Sequence, residues 1–167
     1  AAQLAGSGVE QTLIPDSRKS PHEWHYTTTK PKDDWFKVGF RAEKEGWKLA
    51  PGGFGKKGTP NCNPRTEWHT PDIWLQASFQ LSTLPKKLVM TVYHDEDAEI
   101  YLNGQKIQEF KGCVSNYFEV PLGKGAKQAL QTGRNVVSVH CKQTKGGQFI
   151  DLGLHQPKRD PLDIAKL

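Results

Sequence analysis

The sequence lacks the patterns by which several classes of protein are identified. It contains no apolar run long enough to form a transmembrane helix, so we expect no membrane partner. It has neither a Gly-x-Ser-x-Gly nucleophile motif nor a glycine-rich phosphate-binding loop. No Cys-x-x-Cys pair and no His/Cys spacing typical of zinc sites occurs. These absences disfavour a serine hydrolase of that type, a nucleotide-binding enzyme and a zinc protein.

Cysteine is scarce, with three residues in the chain. Cys141 shares one face of an apolar segment with Val137 and Val139, which predicts a buried thiol. Cys62 and Cys113 lie in loop-like surroundings, where they would form a disulfide in an oxidising compartment or remain two free thiols. The sequence leaves both states open.

The chain has little net charge, +5 over 167 residues, and its basic side chains are scattered. Lys56-Lys57, Lys86-Lys87 and Lys158-Arg159 are pairs without a continuous basic helix. Because a nucleic-acid interface normally has a clustered basic stripe, this pattern favours an ordinary soluble surface over nucleic-acid binding. An anionic polysaccharide is a third partner that the charge allows without requiring it.

The residues that are abundant indicate a single all-β domain. The chain contains 16 glycines and 11 prolines, which suits many turns, and its length suits one hydrophobic core. Several segments alternate apolar and polar residues, as half-buried strands do. The predicted strands are Trp24–Thr29, Ile73–Leu81, Leu88–Tyr93, Glu99–Leu102, Phe118–Leu122, Val136–Cys141 and Phe149–Leu154, with one short helix at Ala126–Thr132.

The most specific local pattern is a β-hairpin around Asn103-Gly104. Both residues tolerate positive φ angles, so the pair predicts a two-residue type I′ turn. Counting outward from this turn, Ile100 faces Ile107 and one apolar face continues across the hairpin. The acidic segment His94–Asp97 is then predicted to be a loop at the open end of the hairpin.

The acidic segment has three competing interpretations. Asp95 and Asp97 would cap backbone amides in a tight loop, accept hydrogen bonds from sugar hydroxyls, or hold a structural calcium ion through hard oxygen ligands. Neighbouring loop carboxylates seldom stand roughly 5 to 10 Å apart across a sugar, as glycoside hydrolysis requires, so we predict no catalytic residues. Asp151 lies within an apolar strand and is predicted to be a hydrogen-bonded structural carboxylate.

Residues 31–72 form a long irregular region that carries several aromatic residues, among them Trp35, Trp47 and Trp68. Such a long connection in one domain is usually functional or packed by its own side chains. Because large aromatics are mostly buried in folded proteins, each tryptophan has a packing role as the alternative to a binding role.

A series of motifs follows one another along the chain: Trp24-x-Tyr26, Pro31, Trp35, Gly53-Phe54-Gly55, Thr66-x-Trp68, Asp72-Ile73-Trp74-Leu75, His94-Asp95-x-Asp97-Ala98-x-Ile100-Tyr101-x-Asn103-Gly104, Asn135-Val136-Val137-x-Val139-His140-Cys141 and Gly146 to Leu154. Taken in order, these motifs resemble a galactose-binding-like β-sandwich with jelly-roll topology. Modules of this kind accompany bacterial β-galactosidases and other secreted glycan-active hydrolases. The resemblance implies an antiparallel two-sheet sandwich, which we expect over residues 22–156. The composition of the two ends predicts a flexible leader or expression remnant at 1–21 and a tail or linker at 157–167.

The resemblance implies a non-catalytic carbohydrate-binding module that tethers a larger hydrolase to a polysaccharide or oligosaccharide. Its expected partner in the same parent chain is a catalytic domain, and its expected state is a secreted or periplasmic monomer. In the predicted sugar site an aromatic ring covers the apolar face of the sugar while polar side chains orient the hydroxyls. The predicted platforms are Trp47 or Trp68, and the predicted polar partners are His94, Asp95, Asp97 and Gln143.

The alternative is a structural β-sandwich that packs between domains of a hydrolase and holds no sugar. The two functions differ in one structural feature, since a sugar site needs an exposed aromatic ring beside free polar groups.

Overall fold

The computed structural model describes residues 10–158, which fold into two facing β-sheets. Residues 1–9 of the predicted leader and residues 159–167 of the predicted tail lie outside the described residues. The strands are β1 (Gln11–Ile14), β2 (Glu23–Thr27), β3 (Lys48–Pro51), β4 (Phe54–Gly55), β5 (Thr66–Glu67), β6 (Asp72–Leu81), β7 (Val89–Asp95), β8 (Asp97–Leu102), β9 (Gln105–Phe110), β10 (Phe118–Pro121), β11 (Gly133–Lys142) and β12 (Phe149–Gln156).

Within residues 10–158, each sheet contains six strands. Sheet 1 has the order β10-β7-β12-β4-β5, and β1 pairs with the C-terminal end of β12. Sheet 2 has the order β3-β2-β6-β11-β8-β9. Among the strands described, every pair is antiparallel except β4 with β5, which is parallel. The predicted all-β antiparallel sandwich is therefore confirmed, with one parallel pair at an edge.

The core lies between the two sheets and follows the alternation of the strands. β6 and β11 run side by side over ten residues, and Ala77 faces Val137 in the middle of the pair. Inward side chains from both sheets form one continuous hydrophobic cluster. Six apolar residues of the predicted strands are all buried in this cluster: Leu75, Phe79, Val92, Ile100, Val137 and Ile150.

The hairpin at Asn103-Gly104 is confirmed between β8 and β9. The two turn residues have φ angles of 49° and 83°, as a type I′ turn requires. The predicted pairing of Ile100 with Ile107 is wrong by one position, because the ladder is irregular between Ile100 and Tyr101 and Ile100 faces Gln108.

The acidic segment is a corner between the two sheets. Asp95 ends β7 in sheet 1, and Asp97 begins β8 in sheet 2. Only Glu96 lies between the two strands, so the segment is too short to project as a loop. The predicted acidic loop at the open end of the hairpin is thus corrected to a tight crossover between the sheets.

The sandwich begins earlier than the predicted boundary at residue 22. Within the segment predicted to be a flexible leader, Gln11–Ile14 pairs with β12, and Ile14 is buried in the core. The helix also differs from its prediction, since α1 spans Lys124–Ala129. Leu130 follows the last helical residue, and its extended backbone (ψ 150°) prevents the helix from continuing. Its side chain remains in the core.

Part of the long irregular region folds over the outer face of sheet 2. There it forms a second hydrophobic cluster on Trp74 of β6 and includes a single 3-10 turn at Ala42–Lys44. The region is thus packed by its own aromatics, namely Trp35, Phe40 and Trp47.

Within residues 10–158, no helix is long and apolar enough to cross a bilayer.

Candidate functional site

The two predicted sugar platforms are buried. Trp68 is 2% exposed in the main core, and its indole N–H donates a hydrogen bond to Thr70 Oγ1 at 3.0 Å. Trp47 is 9% exposed and packs against Phe40, with ring centroids 5.4 Å apart. Because stacking on a sugar needs an open ring face, this burial corrects the expectation that either ring is the platform.

His94 holds the corner between the sheets. Its ring is buried against Phe110, with ring centroids 4.7 Å apart. Nδ1 lies 2.8 Å from the carbonyl oxygen of Glu96 and 2.9 Å from that of Gly112, so a proton on Nδ1 is shared between these two acceptors. This imidazole therefore ties the corner to the segment after β9.

The carboxylates of Asp97 and Glu96 accept hydrogen bonds from nearby backbone amides. Asp97 Oδ1 accepts from the amide of Gly112 at 2.7 Å, which is the capping role predicted for an acidic residue here. Glu96 accepts from the amide of Lys145 at 3.1 Å and from the hydroxyl of Thr144. The capping interpretation of Asp97 is confirmed.

Gln143 lies at the same end of the sandwich and faces its own turn. Its amide Nε2 donates to the carbonyl of Gly146 at 3.3 Å, and its backbone amide donates to Pro71 at 2.7 Å. Gln148 Nε2 donates to the carbonyl of Thr70 at 2.8 Å. The loops around Trp68 and Gln143 therefore meet, and the side-chain amide donors of Gln143 and Gln148 are both taken up by backbone carbonyls.

The carboxyl group of Asp95 is buried. Burial raises its pKa from the ordinary 3.8 to about 6, and the charge of Glu96 adds to the shift. Gly147 lies directly against this carboxyl group, and a Cβ at position 147 would stand 2.7 Å from Asp95 Oδ2.

Over residues 10–158, no group of three or more His, Cys, Asp or Glu side chains could hold a metal ion.

We predict that Asp95→Asn makes the free energy of unfolding less dependent on pH. The native pKa lies above the unfolded value, so the native state binds more protons between about pH 4 and pH 6. Wild-type stability should therefore fall as the pH rises through this window. Relative to wild type, the variant should gain about 1 to 2 kcal/mol between about pH 4 and pH 7, measured by urea unfolding at each pH. A constant difference between the two proteins would contradict the prediction.

A cavity that the sequence did not reveal lies on the outer face of sheet 1. Its volume is about 400 Å³, and the half-buried ring of Tyr117 lines it. The other side chains that the cavity presents are mainly polar: Arg18, Asn61, Asn63 and Arg65. This cavity brings a half-buried aromatic ring beside polar side chains, a combination that is missing from the predicted site.

Asp151 anchors the floor of this cavity. Its Oδ2 accepts hydrogen bonds from the backbone amide of Ser17 at 2.9 Å, the hydroxyl of Ser17 at 2.7 Å and the hydroxyl of Tyr117 at 2.5 Å. The residue is 3% exposed; burial raises its pKa, while the bonds from Tyr117 and Ser17 partly offset the rise. The predicted structural role of Asp151 is confirmed.

Both arginines of the cavity are held in place. Arg65 donates from Nε and Nη2 to the carbonyl of Ser17, at 3.2 and 3.0 Å. Arg18 is paired with Asp16, with Nε 2.9 Å from Oδ1, and its Cζ lies 4.1 Å from the centroid of the Tyr117 ring. The cavity wall is therefore a guanidinium stacked on an aromatic ring, which is a favourable arrangement.

Gly53 allows the cavity wall to approach the sheet. Its φ angle is +93°, and a Cβ there would stand 2.5 Å from Ser17 Oγ. A larger residue would be strained and would displace the hydroxyl that Asp151 binds. This contact explains why glycine occupies the first position of the Gly53-Phe54-Gly55 motif.

The three cysteines are free thiols. Cys141 is buried, as predicted, and Cys62 lines the cavity beside Asn61 and Asn63. Burial raises the pKa of the Cys62 thiol to about 11, and the charge of Asp95 adds to the shift. Cys62 is therefore protonated and weakly nucleophilic near neutral pH.

Comparisons with known proteins give a structural likeness alone. No protein-family model matches the sequence, and no curated protein matches it. A β-glucuronidase of Bacteroides uniformis superposes with a TM-score of 0.60 at 14% identity, over 88% of this chain and 18% of that chain. An uncultured Clostridium sp. β-glucuronidase gives 0.56 at 16% identity, over 89% and 29%. A glycosyl hydrolase family 2 member of Bacteroides cellulosilyticus gives 0.57 at 15%, over 87% and 20%.

These likenesses establish the fold. The chain has the β-sandwich architecture of one segment of much larger glycosidases, and it spans between 18% and 29% of the three solved chains named above.

Proposed function

We propose that the chain is a non-catalytic carbohydrate-binding domain of a larger glycoside hydrolase. The observation that carries the proposal is the cavity on sheet 1, where the half-buried ring of Tyr117, with the Arg18 guanidinium over it, lies beside Asn61, Asn63 and Arg65. An aromatic surface with a few convergent hydrogen-bond donors is the usual composition of a site for a small polar ligand. The site differs from the one predicted from the sequence, but the function is the same.

The fold comparisons support the hydrolase part of the proposal. Two of the matched structures are β-glucuronidases and another is a family 2 glycosyl hydrolase, and this chain corresponds to a small part of each. A catalytic domain in the same parent chain is therefore the proposed partner. A secreted or periplasmic location and a monomeric state belong to the same proposal.

The environment of the acidic side chains supports the non-catalytic part. Asp95 is buried at the corner, and Asp97 accepts a backbone hydrogen bond. Glycoside hydrolysis needs one carboxylic acid and one carboxylate that both reach the substrate. A buried acid beside a capped one does not supply that arrangement.

The polar groups of the cavity still have hydrogen-bonding capacity for a sugar. Within the described part of the chain, the side-chain amide of Asn63 forms no hydrogen bond to protein. The amide of Asn61 donates to the carbonyl of Ser115 at 2.8 Å, and its oxygen remains available as an acceptor. A sugar in the cavity would thus receive hydrogen bonds from Asn63 and offer hydroxyls to Asn61.

A glycan-array screen of the whole chain, followed by titration of the best ligand, tests the proposal. We expect a dissociation constant between about 1 μM and 1 mM, because a small open site makes few contacts. Asn63→Ala should weaken binding about threefold to tenfold, since it removes one or two hydrogen bonds. The matched control Gln105→Ala removes an exposed amide from β9 of sheet 2 and should leave affinity unchanged.

Two results would contradict the proposal. Absence of binding to every glycan on the array would remove the carbohydrate-binding function. Turnover of chromogenic glycosides that persists through repeated purification and is lost in a folded Asp95→Asn variant would remove the non-catalytic assignment.

Interdomain packing is the second candidate function. Val38 and Leu49 are 44% and 54% exposed, and Phe36 stacks on Tyr101 with ring centroids 4.4 Å apart at the half-buried surface of sheet 2. These side chains would be covered in a larger protein. A negative glycan array, together with reduced hydrogen exchange of this surface in the full parent chain, would favour packing over sugar binding.

A further inference from the structure

We infer that the sheet 1 cavity selects sugars that carry a carboxylate, that is, hexuronate residues of an acidic glycan. The inference rests on the proposed function and adds the chemical class of the ligand. The feature that carries it is the guanidinium of Arg65, which the protein orients without neutralising.

The orientation of Arg65 comes from a backbone contact. Nε and Nη2 both donate to the carbonyl oxygen of Ser17, and the amide and hydroxyl of Ser17 are themselves fixed by Asp151. A guanidinium carries five N–H donors. The donors on Nη1 and the second donor on Nη2 therefore remain, and together they form an edge that matches a carboxylate.

The charge balance around the cavity leaves Arg65 uncompensated. Arg18 already has a carboxylate partner in Asp16. The ion pairs formed by residues 10–158 include none with Arg65. Asp151, beneath the cavity, is the opposing group, but donors from Ser17 and Tyr117 occupy its Oδ2 and burial favours its neutral form. An arriving carboxylate thus meets one fixed and unpaired positive charge.

A carboxylate gains more from this charge than a hydroxyl does. Hydrogen bonds between a guanidinium and a carboxylate are about twice as strong as those between neutral groups. The cavity also offers Asn63 for the hydroxyls and, for the sugar ring, the wall in which the planar Arg18 guanidinium covers Tyr117. A simple anion would use Arg65 alone, while a hexuronate would use all three.

Isothermal titration of the whole chain with matched sugars tests the inference. The probes are methyl β-D-glucuronide and methyl α-D-galacturonide, each compared with its neutral parent glycoside. We expect at least one uronide to bind about tenfold or more tightly than its neutral parent, with the preference declining as salt is raised. Sodium acetate, and the 6-sulfate of each neutral glycoside, identify the anionic group that the site prefers.

Three variants locate the selectivity. Arg65→Gln should abolish the preference for the uronide while leaving weak binding of the neutral sugar. Asn63→Asp places a negative charge in the cavity at an exposed position, and it should reverse the preference even if Arg65→Gln proves unstable. Arg41→Gln removes one positive charge from the loop on sheet 2 and should leave the preference unchanged.

The outcomes separate this inference from the proposed function. Equal affinity for uronides and neutral sugars, with a loss of binding in Asn63→Ala, would overturn carboxylate selection and keep carbohydrate binding. Acetate binding as tightly as the uronides, or tighter binding of the 6-sulfates, would overturn the hexuronate class. Binding of none of these sugars, together with a blank glycan array, would overturn both proposals.

Discussion

Replacing Ile100 by Asp is expected to unfold the domain. Ile100 is 0% exposed, lies on the inner face of β8 and faces Val139 of β11 in the middle of sheet 2. The variant loses an aliphatic side chain from the core and buries an unpaired carboxyl group, for which substitution costs of about 4 to 5 kcal/mol or more are typical. This is comparable with the whole stability of many domains.

Circular dichroism and thermal unfolding measure the effect. Gln105→Asp adds the same acid to the exposed start of β9, so it serves as a matched control with an expected change within about 0.5 kcal/mol. Ile100→Val keeps the site apolar and should cost about 0.5 to 1.5 kcal/mol. If Ile100→Asp melted at the wild-type temperature, the inward assignment of β8 would be wrong.

Asp151→Ala is expected to be the second most damaging substitution. It removes the acceptor of the Ser17 amide, the Ser17 hydroxyl and the Tyr117 hydroxyl, all of which lie at or near the buried floor of the cavity. A buried polar donor without a partner costs about 1 to 3 kcal/mol, so the total loss should be about 3 to 5 kcal/mol. Denaturant unfolding of the variant measures it.

A double-mutant cycle with Tyr117→Phe apportions this loss. The single change should cost about 1 kcal/mol, because it removes one donor and leaves the ring in place. In the Asp151→Ala background the same change should cost less, since the hydroxyl has already lost its acceptor. Additive effects in the cycle would show that the two groups do not interact.

The sheets were largely predictable because their patterns are local. The alternation around Phe79 and Val137 assigns each strand a face, and Asn103-Gly104 determines its own turn through backbone conformation. The register error at Ile100 arose from an irregular ladder between Ile100 and Tyr101, which no side-chain pattern marks.

The acidic segment was misassigned because strand pairing is a non-local property. β7 and β8 are adjacent in sequence, yet β7 pairs with β10 and β12, whereas β8 pairs with β9 and β11. The sequence marks where a chain reverses or turns, and it does not mark which sheet the next strand joins. His94 and Asp95 are therefore buried at the corner, and neither side chain is exposed to contact a sugar.

The candidate site was beyond sequence reasoning for a related reason. The residues around the cavity come from three separate parts of the chain. Ser17 and Arg18 lie in the segment predicted to be a leader. Arg65 lies in the long irregular region, and Tyr117 lies between β9 and β10. Ser17 contacts Asp151 across 134 positions of the chain. One signal was present, because a lone carboxylate within an apolar strand needs buried donors, and a search for those donors leads to the cavity.

The pairing of β1 with β12 has a consequence for the order in which the fold is completed. Gln11 faces Gln156, so the first of the described strands to be synthesised pairs with the last of them. Ile14 cannot reach its place in the core until β12 has been synthesised, and until then the edge of β1 has no partner. Contacts between residues so far apart in sequence cost conformational entropy, because a long loop must close before they can form. They therefore slow the folding reaction to about milliseconds or seconds. Strand β1 thus stays open to aggregation or proteolysis until β12 joins sheet 1.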